Sequence, residues 1–338
     1  MLLGYISKRL ISAFLMALAA TLVVFMVAHI VPKDPIVAML GDRAASNPET
    51  VARFRELWGL DRPLVEQYLV FLKGLFQGDL GVSISSRRPV LTDIRAYGPA
   101  TFELATVAAL IALAIGIPLG VLAAVRRDSW IDHLARVISL IGVAAPTFWL
   151  AFLALAFFYG GLQIAPSPGR LDMIDLAPPH ATGFYTVDAL IAGDFPLFWS
   201  AVNHLIMPAA VLAASTLGLI TRTMRSSMLE SLGQDYVRVA RAKGLTEMNV
   251  VYGHAVPNAL MPVVTLGGLA YAELLSGAVM TETIFAWPGL GRYTFQAASA
   301  LDFPAILGVT LVVAGVYLII NLLVDISYAF LDPRVLSQ

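Results

Sequence analysis

The run Ala255 to Thr281 contains one charged residue, Glu273. A carboxylate facing lipid costs on the order of 2.5 to 3.5 kcal/mol at a helix centre and less nearer the surface, so this group is expected to face protein or an aqueous path. Two chemistries suit it: a hydrogen bond to a neighbouring helix, or transient attraction for a passing amino group. The loop before this run carries a charged segment, Asp235-Tyr236-Val237-Arg238-Val239-Ala240-Arg241-Ala242-Lys243-Gly244-Leu245, continuing to Pro257. At about 100° per residue it reads as a short helix with Tyr236, Val237, Ala240 and Gly244 on one face and Asp235, Arg238 and Arg241 on another. Such a helix can lie on lipid headgroups or set its apolar face into a groove of a cytoplasmic partner, and the pattern leaves both open. Arg238 and Arg241 would then pair with headgroups or with acidic groups around the groove. Gly244 is either an ordinary helix stop, a left-handed cap or a point of close backbone approach.

Catalytic constellations do not occur. There are no cysteines, no HExxH, no GxSxG and no paired membrane aspartates. No Gly-Lys dipeptide exists either, so the chain lacks the loop that cradles nucleotide phosphates, and any ATP is bound by another protein. His29, His204 and His254 fall near the ends of apolar runs, where interfacial or packing roles suit them. Trp287, beside Pro288-Gly289, reads as an interfacial anchor before a turn. The alternative is that Glu282 and Trp287 form an outer gate. Asp325 falls where it can reach water or a basic residue.

These groups are positioned by membrane helices. The chain has 338 residues, of which 58% are hydrophobic and 13% charged, and its net charge of −1 gives no basic field for nucleic acid. Uncharged runs long enough to cross a bilayer cover Leu10 to Val31, Leu104 to Val125, Val137 to Tyr159 and Phe303 to Val324. Leu205 to Thr221 and Ala255 to Thr281 complete six expected transmembrane helices. Lys and Arg total 11 in the segments placed on one side, against Arg170 and Arg292 in the short loops of the other, which puts both termini in the cytoplasm. Glu273 then lies roughly 27 Å along its helix, in the outer half of the membrane. The expected plan is an all-α membrane protein: an anchor over 1–31, an extracytoplasmic helical cap over 32–96, a membrane domain over 97–331 containing the cytoplasmic loop 222–256, and a tail over 332–338. Helical spacing within the cap covers Val51 to Leu57 and Leu64 to Phe76. Pro118, Pro146, Pro208 and Pro262 fall inside the spans, and Gly116 with Gly120 forms a GxxxG spacing that permits close helix approach.

The loop around Ala240, Gly244 and Pro257 resembles the EAA loop of binding-protein-dependent ABC importer permeases. Arg238 stands where that pattern has Glu, Val239 replaces its first Ala, His254 its Ile and Val256 its Leu. The longer string Asp-Tyr-Val-Arg-x-Ala-Arg-Ala-Lys-Gly-Leu, followed by His-Ala-x-x-Asn-Ala-x-x-Pro, resembles the dipeptide and oligopeptide branch, where the Glu is usually absent. The resemblance extends through Gly59-Leu60-Asp61-Arg62-Pro63, Gly78-Asp79-Leu80-Gly81, Thr223-Met224-Arg225-Ser226-Ser227-Met228-Leu229-Glu230, Thr281 to Gly291 and Asn321-Leu322-Leu323-Val324-Asp325. It is closest to the first of the two permease subunits of such systems.

The resemblance implies a type I ABC importer permease fold that moves dipeptides or oligopeptides across the cytoplasmic membrane by alternating access. It implies a second permease subunit, two ATPase subunits that hold the ATP and Mg, and an extracytoplasmic substrate-binding protein, with lipid around them. This chain itself would bind no cofactor. The segment Gly169 to Tyr185 resembles importers of dipeptides, D-alanyl dipeptides included, while glutathione, nickel chelates and heme are alternative cargoes. A secondary transporter is a rival, although duplicated halves with broken spans in corresponding positions are not evident.

Overall fold

The computed structural model describes residues 2–30, 46–58 and 63–331. Among these, every regular element is helical apart from an isolated bridge between Val82 and Pro89. Gly59 to Arg62 and the tail over 332–338 lie outside the described residues. In chain order the helices are α1 (Leu2–Ile30), α2 (Pro48–Trp58), α3 (Leu64–Phe76), α4 (Val90–Val125), α5 (Trp130–Ala144) and α6 (Thr147–Ala154), which continues as a π-helix over Leu155–Gly161. There follow α7 (Tyr185–Ala192), α8 (Phe195–Leu232), α9 (Asp235–Ala242), a π-helical turn over Asn249–Ala255, α10 (Val256–Gly277), α11 (Val279–Ile284), α12 (Leu290–Ser299) and α13 (Phe303–Leu331).

Among the described residues five helices are long and apolar enough to cross a membrane: α1, α4, α8, α10 with its π-helical turn, and α13. The stretch expected as one continuous span, Val137 to Tyr159, is instead divided between α5 and α6, which meet at 107°. The cause is local. Pro146 disfavours helical backbone in the residue before it, and Ala145 is extended, with φ −79° and ψ 128°. The bent pair has the form of a broken span or a re-entrant loop, so the absence of breaks cannot be used against the rival transporter class. A sixth crossing exists if the bent pair is counted as one.

Helix ends also run past the charges that bound the uncharged runs. α4 begins at Val90, inside the segment assigned to the cap, because Asp93 and Glu103 are buried with partners and need not end the helix. α8 begins at Phe195, where Asp194 caps it by accepting from the Leu197 N–H at 3.0 Å. The cap helix α3 lies against α1. Tyr68 donates to the Leu18 carbonyl and contacts the Thr21 hydroxyl, and its ring meets Phe25 edge-on at 5.4 Å.

The core lies between α4 and α8 and is built largely of alanine. Ala105, Ala108, Ala112, Ala209 and Ala213 are all fully buried. Small side chains let the two backbones approach, which is how membrane helices gain dispersion contact without a hydrophobic drive. Gly120 marks the tightest approach of the GxxxG pair: a Cβ there would lie 2.7 Å from Met224 Cβ and 2.8 Å from the Thr221 carbonyl oxygen. Gly142 and Gly218 do the same for α5 against α8, each within 2.6 Å of a backbone oxygen. α1 and α13 pack together at the periphery, where Arg9 and Asp325 pair at 3.1 Å.

Backbone atoms cannot yield as a flexible side chain can. Gly120→Ala is therefore expected to lower unfolding stability by about 1–3 kcal/mol. Gly315→Ala, where nothing lies within 4 Å, should change it by no more than about 0.5 kcal/mol. Thermal denaturation of the two purified variants in one detergent checks this, and equal melting temperatures would refute the close-approach reading.

Candidate functional site

The charged segment folds as the sequence indicates, into helix α9, a turn and then the approach to α10. Its orientation differs from the expectation. Val237 and Ala240 are buried against Val250, Val251 and Ala255 of the π-helical turn, so the apolar face is spent inside the chain. The nearest apolar surface is the chain's own, and a two-turn helix buries there first. Ser231 at the end of α8 completes the attachment: its hydroxyl pairs with the Tyr236 phenol at 2.6 Å and donates to the Ala255 carbonyl at 3.0 Å. α9 is thus joined to the end of α8 and the start of α10 at once.

The face left exposed carries Asp235, Arg238, Val239, Arg241 and Lys243, with Met248 and Tyr252 alongside. Both arginines already have partners within the chain. Arg238 pairs with Asp235 at 3.1 Å, and Arg241 grips Glu247 through two bonds of 2.8 and 3.2 Å. Gly244 adopts φ +78°, its N–H bonds to the Arg241 carbonyl at 2.9 Å, and nothing lies within 4 Å of where a Cβ would sit. Its role in the fold is the left-handed cap, not close approach. Pro257 is exposed in the first turn of α10.

On the other side, Glu282 and Trp287 do not form an exposed gate. Glu282 is fully buried and Trp287 is 1% exposed. The Glu282 carboxylate accepts from the Thr101 hydroxyl at 2.6 Å and from the Arg292 N–H at 2.9 Å, while the Thr101 oxygen accepts from the Leu290 N–H at 2.7 Å. Gly289 and Gly291 are required by this packing, since a Cβ on Gly289 would sit 2.3 Å from the carboxylate and one on Gly291 would sit 2.7 Å from Val279 Cα. The Trp287 indole donates to the Ala100 carbonyl at 2.9 Å, which makes it a core residue and not an interfacial anchor. α11 lies beyond the apolar end of α10, and burial pushes the Glu282 carboxyl up to about 7.

A second buried acid adjoins this knot. Glu103 of α4 binds Arg170 and accepts from the Thr186 N–H and hydroxyl at 2.9 and 2.7 Å. Arg170 also donates to the Gly183 carbonyl, and its guanidinium lies 3.5 Å from the Tyr185 ring centroid and 5.4 Å from that of Trp287. Glu103 was missed because the uncharged run begins one residue later. The available signal was Arg170, the only Lys or Arg between Gly160 and His204, which needs an acid partner if buried. Glu273, by contrast, is exposed on this chain, and among the described residues its carboxylate has no hydrogen-bond partner.

These features define an all-helical protein with several helices fit to cross a membrane and a surface-mounted helix tied to two of them, with no assembled catalytic set among the described residues. The chain belongs to the family of binding-protein-dependent transport system inner membrane components, whose sequence model matches residues 116–337, with the N-terminal model of such membrane components matching 2–105. It is 48% identical over 313 residues to the probable D,D-dipeptide transport system permease protein of Escherichia coli K12, covering 93% of this chain and 92% of the relative. It is 43% identical to the dipeptide transport system permease protein of the same strain, over 99% of both chains. It is also 41% identical to the di/tripeptide transport system permease protein of Pseudomonas aeruginosa UCBPP-PA14, over the full length of both.

The Glu282 environment has a consequence for pH. Its folded pKa of about 7 exceeds the ordinary 4.5, so the group favours the folded state while protonated, fully so below about 4.5, and that contribution is lost as pH rises through about 7. Glu282→Gln cannot titrate. The wild-type melting temperature is expected to fall relative to that of the variant between about pH 5 and about pH 8, the gap reflecting at most on the order of 3 kcal/mol. Parallel melting curves across that range would show that Glu282 does not ionise there.

Proposed function

We propose that this chain is one of two permease subunits in an ATP-driven importer that carries dipeptides or oligopeptides across the inner membrane by alternating access. The observation that carries the reading is the likeness, over nearly the whole chain, to proteins named as dipeptide and di/tripeptide permeases. A second reading of the cargo, a dipeptide of D-residues, is favoured by the 48% identity to the D,D-dipeptide permease. The other subunits are a second permease, two ATPases and an extracytoplasmic binding protein. The bent pair α5 and α6 acts as the sixth crossing, and both termini are cytoplasmic.

In this reading α9 is the coupling element. An ATPase that presses on its exposed face moves α8 and α10 together, because Ser231 and the Val237–Ala240 face bind it to both. Asp235, Arg238, Arg241 and Lys243 form the charged part of that contact, so docking competes with the two internal ion pairs. Glu273 faces the second permease, where a shared aqueous path satisfies its charge; its exposure on this chain supports that placement.

The test is reconstitution of the transporter in liposomes with labelled L-alanyl-L-alanine and D-alanyl-D-alanine. ATP-dependent uptake of either is expected, and uptake that persists without the ATPases would reject the assignment. In the same system Gly244→Leu forces a side chain into left-handed backbone at about 1–2 kcal/mol. That shifts the equilibrium away from the capped loop roughly tenfold. Insertion and assembly should survive while uptake and peptide-stimulated ATP hydrolysis fall by a similar factor; unchanged uptake would remove Gly244 from the coupling mechanism.

A further inference from the structure

A cavity of about 1030 Å³ opens between α6, its π-helical continuation and α8. None of the residues of the α9 surface or the Glu282 knot line it. Its walls are mostly apolar, with Phe157, Met207 and Val211 among them, and its polar lining is Gln163, Asp172, Ser200, Asn203 and His204, of which Asp172 and His204 lie side by side. The bend at Pro146 sets the direction of α6 and so helps to create the space.

The polar lining has an unmet need. His204 is 4% exposed, and its Nδ1 lies 2.8 Å from the Ser200 carbonyl oxygen. A carbonyl only accepts, so Nδ1 carries a proton, and in the tautomer with that proton alone Nε2 presents a lone pair. That buried Nε2 has no hydrogen-bond partner. Asp172 Oδ1, itself an acceptor, lies 3.6 Å away on a side chain that is 57% exposed. Two acceptors therefore face each other in a mostly apolar cavity, and no Lys or Arg lines it. The complementary group is a cationic donor with several N–H bonds, which describes a primary ammonium. An anion is disfavoured there by Asp172, and by Asp175, which the Ser200 hydroxyl approaches at 2.6 Å. An ethanolamine headgroup brings its phosphate close behind its ammonium and meets the same opposition. A peptide amino terminus does not, since an uncharged amide and an apolar side chain follow it.

We propose that this cavity receives the amino-terminal residue of the transported peptide, with Asp172 and His204 Nε2 taking its ammonium and the Phe157–Met207 wall its first side chain. The proposal rests on the peptide-importer reading and names a substrate site within it. Size agrees, since pockets of roughly 300–1,000 Å³ hold small organic ligands.

The chain has no cysteine, so Ala210→Cys places a single thiol on the cavity wall. Its alkylation by N-ethylmaleimide is followed by mass spectrometry of this chain in the assembled, reconstituted transporter, with leucyl-alanine or N-acetyl-leucyl-alanine in large excess. Uptake of labelled leucyl-alanine is measured in the same vesicles. The free peptide is expected to slow alkylation about tenfold and the acetylated one hardly at all, with Asp172→Asn and His204→Phe each removing the protection. Alkylation unaffected by free peptide while uptake proceeds overturns the site, and equal protection by both peptides overturns ammonium recognition. A thiol blocked in the complex but reactive in the isolated chain, whatever the peptide, shows that the second permease fills the cavity. A thiol reactive in detergent but blocked in liposomes shows a lipid chain there. Both results reject the proposal. If the wild-type transporter takes up no peptide at all, the importer reading fails first and this proposal with it.

Discussion

The close approach of α4 and α8 is the constraint on which the other packing depends. Lipid tails are as apolar as the side chains, so burial alone does not hold these helices together; contact and internal polar bonds must do so. The alanines along the seam, with Gly116 and Gly120, bring the backbones near enough for dispersion to accumulate. α5 and α10 then dock on the sides of α8, and α9 is folded back onto its end. Widening the seam by one methyl group would move all of these supports.

Ionic groups fix the ends of this assembly. At one end Asp132 of α5 accepts two bonds from Arg225 of α8, at 2.6 and 2.8 Å, and one from Arg136 at 3.2 Å. At the other end Glu103 holds Arg170 under Tyr185 and Trp287, while Glu282 gathers Thr101 and the Arg292 N–H. Buried charges are weak as sources of net stability, yet removing one partner strands the other. Their effect here is positional: each knot joins elements that are distant in sequence, so the loops at the two ends cannot slide along the seam.

Much of this was legible in the residues. Uncharged runs located the long helices, the GxxxG spacing marked the α4–α8 contact, and the small cap helices fell close to their expected bounds. Three things were not legible, each for a physical reason. A charge ends an uncharged run but not a helix, when a partner from elsewhere in the chain neutralises it; Arg88 beside Asp93 and Arg170 beside Glu103 let α4 start early. Pro146 announced a disturbance without its size, because a proline inside α4 or α8 is absorbed by a continuous helix while this one is not. Amphipathicity showed that α9 has an apolar face but not what covers it, and Glu282 looked like a loop acid because nothing local reveals that Gly289 and Gly291 leave room for its carboxylate.

The pairing of Arg9 with Asp325 links the first helix to the last. α1 packs mainly on α13 and, more lightly, on α3, so it enters the bilayer long before its main neighbour is synthesised. The permanent place of α1 is thus settled only once α13 has been made. A chain that stops before α13 leaves α1 without the helix on which it packs most.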